Sequence, residues 1–216
     1  MRSLKPLCRR TTIFVLLLLP VLTFAASKEG IPTDANDIRP ILVSQTIPDV
    51  TLTDINGKSV SLKQLTQKQP TLLIFYRGSW CPYCNAHLGQ LAKIEPQLIK
   101  MGIQIVAISP DKPDFLRKSI EKHSLQYTLL SDSKMKAARA FGLAYQLAPK
   151  TVEKYRGYGI DLEKQSGESH YMLPVPAALL ITTKGTVTFS FVAPNYKVRA
   201  DSKVLLAAAE HLLTVD

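Results

Sequence analysis

Residues 77–84 read Arg-Gly-Ser-Trp-Cys-Pro-Tyr-Cys and place Cys81 and Cys84 three positions apart. The continuous apolar run 71–76 before them is typical of a buried strand, and apolar residues at helical spacing follow them. Pro82 suits the first turn of a helix, where its missing N–H has no helical partner. Cys81 is therefore predicted at a helix N-terminus, which stabilises a thiolate, with Cys84 one turn further on the same face. The pattern predicts a thiol redox site.

The first 25 residues are predicted to be a signal peptide. A basic stretch at 2–10 precedes a short apolar run at 12–22, and small residues around Ala25 suit a signal peptidase. The alternative is an uncleaved anchor, although the run is short for a membrane span. Cleavage would remove Cys8 and leave only the two cysteines of the octapeptide. We therefore expect a periplasmic or secreted protein with no disulfide framework and no stable membrane insertion after cleavage.

Charge and length limit the number of domains and the kinds of partner that the remaining chain could have. The 216 residues carry a formal charge of +10, and subtracting the four basic residues of the predicted signal leaves +6. About 190 residues would remain, which is enough for one domain with a sizeable core. The basic residues are scattered, with no Arg/Lys run that interleaves with aromatics. The sequence therefore gives no support for nucleic-acid binding.

From residue 46 onwards the pattern predicts one α/β domain, with residues 26–45 as a polar lead-in. Strands that alternate with helices imply parallel pairing through right-handed crossovers. The helix that follows Cys81 is expected to kink at Pro96 or to end its first part near Glu95. The predicted elements are hairpin 49–53/58–61 around Asn56-Gly57, a helical turn at 61–65, strands 71–76, 103–109 and 127–130, helices from 81, at 111–123 and at 134–141, and hairpin 179–183/186–192. A final helix at 201–213 is expected to face the core with Val204, Leu205, Ala208 and Leu212.

Residues 143–172 break this alternation. They contain Pro149, three glycines, four tyrosines and many charges, with weak periodicity. We interpret them as an insertion beside the active site that is partly helical around residues 150–155.

The order of these elements resembles the thioredoxin fold and, more narrowly, the AhpC/TSA group of peroxiredoxin-like proteins. The resemblance covers roughly residue 46 to the C-terminus and rests on residues 75–84 and on Leu-Pro-Val-Pro-Ala at 173–177. It implies a central mixed β-sheet flanked by helices, with an N-terminal β-hairpin. It also implies that Pro176 has a cis peptide bond and faces the cysteine pair, with Pro174 as the second candidate.

The chain departs from this family just before Cys81. Peroxiredoxins place a Thr or Ser three residues before the peroxidatic cysteine and a Pro seven residues before it, where this chain has Gly78 and Ile74. Ser79 could supply the hydroxyl instead. The family also uses an arginine to polarise the peroxide and to lower the thiol pKa. Arg199 best matches that arginine, and Arg77 is the second candidate.

Three functions compete. In the first, the Cys81 thiolate attacks a hydroperoxide and becomes a sulfenic acid, Cys84 condenses with it, and a dithiol protein reduces the disulfide. In the second, Cys81 attacks a protein or small-molecule disulfide and Cys84 resolves the mixed disulfide, as the glutaredoxin-like Cys-Pro-Tyr-Cys setting would suit. The third is a copper-binding or delivery module, with both cysteines as soft ligands and His87 or His170 as a further ligand.

Structural explanations of the cysteine pair are weaker. A disulfide that closes so small a loop restricts the unfolded chain little. Two cysteines and one nearby histidine fall short of the four ligands of a structural zinc site. Trp80 is expected to shield the Cys81 thiol, and no cofactor is implied because the cysteines carry the electrons. We favour hydroperoxide reduction, because the chain beyond the octapeptide matches the AhpC/TSA group better than small disulfide reductases.

Overall fold

A computed structural model describes residues 30–215, with side chains described up to residue 212. The predicted signal peptide lies outside the described residues, and the division of the chain at residues 26 and 46 stays a prediction. Within the described range, no helix is both long and apolar enough to cross a membrane.

Strands and helices alternate along most of the described chain, as the sequence pattern predicts. A short 3₁₀ helix at Ala35–Asp37 comes first. The strands and α-helices are β1 (Thr51–Thr53), β2 (Ser59–Ser61), α1 (Leu62–Lys68), β3 (Thr71–Phe75), α2 (Pro82–Lys100), β4 (Gln104–Ser109), α3 (Pro113–His123), β5 (Thr128–Ser131), α4 (Lys136–Ala140), β6 (Ala144–Gln146), α5 (Pro149–Gly157), α6 (Leu162–Ser166), β7 (Met172–Pro174), β8 (Ala177–Ile181), β9 (Val187–Val192) and α7 (Ser202–Val215).

Seven of these strands form one mixed sheet in the order β2-β1-β5-β4-β3-β8-β9. The β3–β4 and β4–β5 pairs are parallel, whereas β8 runs antiparallel to β3 and both hairpins are antiparallel. The predicted α/β fold with a central mixed sheet, flanking helices and an N-terminal hairpin is confirmed. Because β3 lies inside this sheet, all five of its residues are buried.

Side chains of β3 alternate between two apolar layers. Leu72 and Ile74 face a cluster that includes residues of α2, α3 and α7, whereas Leu73 and Phe75 face a cluster that includes residues of α1 and α4. Cys81 and Cys84 belong to the first cluster. The octapeptide therefore leaves the end of a central strand and enters α2 over a packed core.

Two details of the helices differ from the predictions. Helix α2 continues through Pro96 to Lys100, so the predicted end near Glu95 is wrong. Buried residues on both sides of Pro96, such as Ile94 and Leu98, keep the helix packed on the core before and after the proline. In α7, Val204 is half exposed, and Ala209 takes the core position one turn after Leu205. The buried stripe of α7 therefore begins one residue later than predicted.

The insertion at residues 143–172 is ordered into β6, α5, α6 and the start of β7. The predicted helix around residues 150–155 is confirmed as α5, whereas the antiparallel β6–β7 pair was not predicted. Four buried residues form a separate apolar cluster here, and Trp80 and Tyr155 pack against it. The insertion therefore covers the loop that leads from β3 into α2, as expected for a segment beside the active site.

Candidate active site

Cys81 and Cys84 occupy the first turn of α2. Cys81 is its N-cap residue, and the Cys81 carbonyl accepts hydrogen bonds from the backbone N–H groups of Cys84 (3.1 Å) and Asn85 (3.0 Å). Pro82 follows as the first helical residue, as predicted. Both thiols are reduced and about 1% exposed. The sequence thus brings two sulfurs together at a buried helix N-terminus.

The two thiols differ in acidity. A hydrogen bond from the Cys84 thiol, the Cys84 backbone N–H and the positive charges of Arg77 and Arg199 lower the pKa of Cys81 to about 6, against the opposing effect of burial. Burial, together with the hydrogen bond and charge of Cys81, raises the pKa of Cys84 well above 9.0. At neutral pH Cys81 is therefore the thiolate and Cys84 the thiol.

Each sulfur has an arginine neighbour. The buried Arg77 places Nη1 4.0 Å from Cys81 Sγ, whereas Arg199 donates from Nη2 to Cys84 Sγ at 3.2 Å. The backbone carbonyls of Tyr196 and Val198 hold the other end of the Arg199 guanidinium. Arg199, the first candidate for the peroxide-polarising arginine, thus contacts the second cysteine, and Arg77 lies beside the first.

Aromatic rings enclose the Arg77 guanidinium. Its central carbon lies 4.2 Å from the ring centre of Tyr196, 4.9 Å from that of Trp80 and 5.6 Å from that of Tyr155. Arg77 also donates a hydrogen bond to the Tyr155 hydroxyl. These contacts fix the cation in a low-dielectric setting. The sequence predicted Trp80 beside the Cys81 thiol but not its contact with Arg77, and it missed Tyr155 and Tyr196 because no local pattern links them to the octapeptide.

The hydrogen bonds of Ser79 go to Gln165 of the insertion and to Asp111, which follows β4, and not to a sulfur. Its backbone N–H donates to Asp111 Oδ2 at 2.7 Å, and its hydroxyl lies 3.5 Å from Gln165 Oε1 in α6. Asp111 was predicted only as the start of a helix. It follows a buried parallel strand next to β3, and that position is the signal that could have placed it at the site.

Pro176 is buried in the segment between β7 and β8. Within the described residues no peptide bond is cis, so the expected cis bond at Pro176 or Pro174 is wrong. Backbone hydrogen bonds hold this segment between neighbouring strands: Val175 donates to Leu143, and the Pro176 carbonyl accepts from Ala193. Pro176 still lines a narrow crevice shared with His87 and Arg199.

The two histidines of the copper hypothesis lie in different surroundings. Burial and the charge of Arg199 lower the pKa of His87 to about 4, so its buried ring is neutral. The His170 ring bonds to the Ser133 carbonyl and accepts from the Met172 N–H. No group of three or more His, Cys, Asp or Glu side chains within residues 30–215 could hold a metal. The copper hypothesis therefore has no support in this part of the chain.

Comparison with known proteins places the site in a family. Residues 43–190 match the AhpC/TSA family. A putative peroxiredoxin bcp of Haemophilus influenzae is 34% identical over 106 residues, which are 49% of this chain and 68% of that protein. Peroxiredoxin Bcp of Escherichia coli is 32% identical over 106 residues, or 49% of this chain and 67% of that protein. The thiol-disulfide oxidoreductase ResA of Bacillus anthracis is 24% identical over 102 residues, or 47% and 58%.

Solved structures agree on the fold. Reduced Prx3 from Vibrio vulnificus superposes with a TM-score of 0.65 at 22% identity, over 79% of this chain and 99% of that one. Peroxidoxin BcpB from Mycobacterium tuberculosis superposes with a TM-score of 0.60 at 20% identity, over 79% and 97%. The paired thiols and the relatives together identify a thiol-dependent oxidoreductase. Because the family match spans more than half of its length, the chain belongs to the AhpC/TSA family.

Proposed function

We propose that this protein is an exported thiol peroxidase that reduces hydroperoxides with Cys81 as the nucleophile. The observation that carries the proposal is the Cys81 sulfur itself, whose pKa is lowered to about 6 and which lies 4.0 Å from the enclosed Arg77 guanidinium. A thiolate beside a fixed cation is the arrangement that peroxide reduction requires, because charge develops on the leaving oxygen. The relatives named as peroxiredoxins support the same chemistry.

In the first step the Cys81 thiolate attacks the terminal oxygen of the hydroperoxide. The S–O bond forms as the O–O bond breaks, the cysteine becomes a sulfenic acid, and the alkoxide takes up a proton and leaves as the alcohol. Arg77 is the donor placed to polarise the O–O bond, since Arg199 donates to the other sulfur. Trp80 and Tyr155 hold Arg77, and Trp80 packs against the buried cluster that contains Cys81.

In the second step Cys84 attacks the oxidised Cys81 and a disulfide forms. The short first turn of α2 places the two residues within reach of one another without a change of fold. A dithiol protein of the thioredoxin type then reduces the disulfide by exchange. In the proposed periplasmic location such a reductant would receive its electrons through the membrane.

Disulfide reduction is the second candidate. The Cys-x-x-Cys spacing favours it, and so does the similarity to a thiol-disulfide oxidoreductase. In this reaction Cys81 would attack a substrate disulfide, and Arg77 would have no O–O bond to polarise. The same residues therefore serve both reactions, and the pocket around Cys81 decides between them.

The test uses the single tryptophan, Trp80, as a reporter of Cys81 oxidation. Reduced protein is mixed with hydrogen peroxide or with oxidised glutathione in a stopped-flow fluorimeter. We expect peroxide to react orders of magnitude faster than with a free thiol, Cys81→Ser to abolish the signal, and Cys84→Ser to stop at the sulfenic acid. The variant Arg77→Lys keeps the charge, loses the planar fork, and should slow the peroxide reaction more than the glutathione reaction. Slow peroxide with rapid glutathione exchange would instead establish the disulfide reductase.

A further inference from the structure

Both polar groups of the Ser79 backbone are held by side chains, and Asp111 is one of the two holders. The Ser79 N–H donates to Asp111 Oδ2 at 2.7 Å, and the Ser79 carbonyl accepts from Asn85 Nδ2 at 2.8 Å. Asp111 follows the end of β4 by two residues and is 1% exposed. These bonds fix the backbone just before Trp80, whereas the orientation of the Trp80 indole depends on contacts of its own.

Asp111 has a second carboxylate oxygen, Oδ1, that is buried and bonds no described residue. A buried carboxylate oxygen without a partner is costly, so a polar group is expected opposite it. Burial raises the pKa of Asp111 to about 6, which leaves the side chain mostly ionised at neutral pH. Because an ionised carboxylate only accepts hydrogen bonds, the group opposite Oδ1 must be a donor.

The Trp80 indole N–H is a donor close to this oxygen. The position that a Cβ on Gly78 would take is 2.4 Å from Trp80 Nε1 and 3.0 Å from Asp111 Oδ1. The two atoms are therefore at most about 5.4 Å apart, yet Oδ1 has no partner, so no direct hydrogen bond joins them. One water molecule spans such a gap, because its oxygen lies about 2.8 Å from each group that it bonds.

A cavity of matching size lies against both side chains. Its volume is about 10 Å³, roughly the space for one water molecule. Trp80, Asp111 and Arg77 are among its walls, and Arg77 Nε is a further buried atom without a partner. A water here has up to three protein partners, as buried waters typically do. None of the described residues that line the cavity is a cysteine, so it is distinct from the place where a substrate meets Cys81.

We propose that one buried water molecule in this cavity joins the Trp80 indole N–H to Asp111 Oδ1, which makes Asp111 a positioning residue for Trp80 and Arg77. The water accepts from the indole and donates to the carboxylate. The Trp80 ring centre is 4.9 Å from the central carbon of the Arg77 guanidinium, and Arg77 Nη1 is 4.0 Å from Cys81 Sγ. Asp111 thus acts on Cys81 through two side chains, without a hydrogen bond to its sulfur.

A crystal structure of the reduced protein tests the bridge directly. We expect one ordered water within about 3.2 Å of both Trp80 Nε1 and Asp111 Oδ1. A direct hydrogen bond between the two side chains, or no water between them, would overturn the bridge. The inference goes beyond the proposed function and concerns the reduced protein without substrate. Failure of the peroxidase or disulfide-reductase reaction therefore leaves it standing.

Two variants of Asp111 separate position from charge in solution. Asp111→Leu is close in size and removes both acceptors, whereas Asp111→Asn keeps an amide that can bond the Ser79 N–H and the water. Both lose the negative charge, so a difference between them is not electrostatic. Trp80 is the only tryptophan, so a ¹⁵N spectrum contains one indole N–H resonance. We expect it to move upfield in Asp111→Leu and to stay near the wild-type position in Asp111→Asn.

The acidity of Cys81 is the functional readout. When the indole is free to turn, Arg77 loses one wall of its enclosure and its charge moves away from the sulfur. We expect thiolate absorbance to give a Cys81 pKa roughly half a unit higher in Asp111→Leu than in Asp111→Asn. Equal pKa values in the two variants, or equal indole resonances, would overturn the positioning role.

A second variant covers the case in which Asp111→Leu does not fold. Trp80→Phe removes the indole N–H but keeps an aromatic ring, and it should raise the pKa of Cys81 in the same way. A wild-type pKa of Cys81 in this variant would overturn the positioning role as well.

Asp132→Leu is the matched control. Asp132 is also a buried carboxylate after a parallel strand, but it accepts the backbone N–H groups of Ala137 and Ala138 and is not a wall of the cavity. Its replacement should leave the indole resonance and the Cys81 pKa at their wild-type values. Changes as large as those in Asp111→Leu would mean that loss of any buried carboxylate loosens the site, and the specific role of Asp111 would fall.

Discussion

Arg77 and Arg199 stand beside different sulfurs, and this difference assigns them different tasks. Arg199 donates to Cys84 at 3.2 Å, which holds the Cys84 sulfur in place in the first turn of α2. Arg77, 4.0 Å from Cys81, acts through its charge and is itself fixed by aromatic rings. The charge of Arg77 should therefore appear directly in the acidity of Cys81.

Replacement of Arg77 tests this assignment. In the reduced wild-type protein, ultraviolet thiolate absorbance should report a pKa of about 6 for Cys81. In Arg77→Gln the loss of the cation should raise that pKa by roughly one unit. Arg139→Gln, on the exposed face of α4, is the control and should leave the titration unchanged. A wild-type value near 9 would show that Cys81 is not the thiolate.

Gly78 occupies the position where peroxiredoxins carry a hydroxyl residue. Its φ is +141°, and an added Cβ would lie 2.4 Å from Trp80 Nε1 and 3.0 Å from Asp111 Oδ1. Gly78→Ala should therefore lower the free energy of unfolding by about 2 kcal/mol and displace the Trp80 ring. Gly89→Ala, with open space in the middle of α2, should raise it by about 0.5 to 1 kcal/mol. Chemical denaturation of both variants measures these changes, and equal stabilities would contradict the steric argument.

At the residue scale, the sequence predicts those site residues that lie close together along the chain. Cys81, Cys84, Trp80 and Arg77 follow from one octapeptide, because a strand end and a helix start determine their positions. Tyr155 and Asp111 lie 78 and 32 positions from the octapeptide residues that they bind. Only tertiary packing brings Tyr155 there, so no local pattern could have named it, whereas the one sequence signal for Asp111 is its position after a buried parallel strand.

At the element scale, strong hydrophobic patterns were sufficient to predict most strands of the main sheet and the helices that flank it. β3, β4 and β8 are continuous apolar runs, and glycine turns mark both hairpins of the sheet. β6 and β7 were missed because each has three residues, too few to show alternation. In α2 the predicted end near Glu95 is wrong, since burial of the flanking apolar residues outweighed the local cost of proline, whereas the alternative of a kink at Pro96 stays a prediction.

The insertion elements act as a cover over Arg77, with Tyr155 of α5 as the point of attachment. Tyr155→Phe removes the acceptor for Arg77 but keeps the ring against Trp80. The cover should loosen, so acrylamide should quench Trp80 fluorescence more strongly and iodoacetamide should alkylate Cys81 several-fold faster.

Tyr158→Phe is the matched control for this substitution. Tyr158 follows α5 directly, is 67% exposed and lies outside the aromatic enclosure of Arg77. Its loss should change neither quenching nor alkylation. Identical behaviour of the two tyrosine variants would mean that the hydroxyl of Tyr155 does not hold the insertion in place.

At the scale of the whole molecule, ionisation of the Cys81 thiol is linked to the free energy of unfolding. Both sulfurs belong to the same buried apolar cluster as residues at the centre of the sheet. The negative charge of the Cys81 thiolate therefore interacts more strongly with nearby charges than it would in water, because the core has a low dielectric constant. The Cys81 pKa is lowered to about 6 in the folded protein from an ordinary value of 9.0. The folded, reduced protein therefore binds one proton fewer than the unfolded chain between these values.

Stability of the reduced protein should consequently rise with pH. A lowered folded-state pKa gives stabilisation that is complete above the unfolded value and is lost as the pH falls through about 6. Between about pH 7 and 8, above the raised pKa values of Asp111 and Asp132, the free energy of unfolding should increase by at most about 1.4 kcal/mol. Denaturant titrations measure this slope, which should vanish in Cys81→Ser and in the oxidised protein. Because this slope comes from the lowered pKa of Cys81, a flat profile in the reduced wild type would show that the Cys81 thiolate does not stabilise the folded protein.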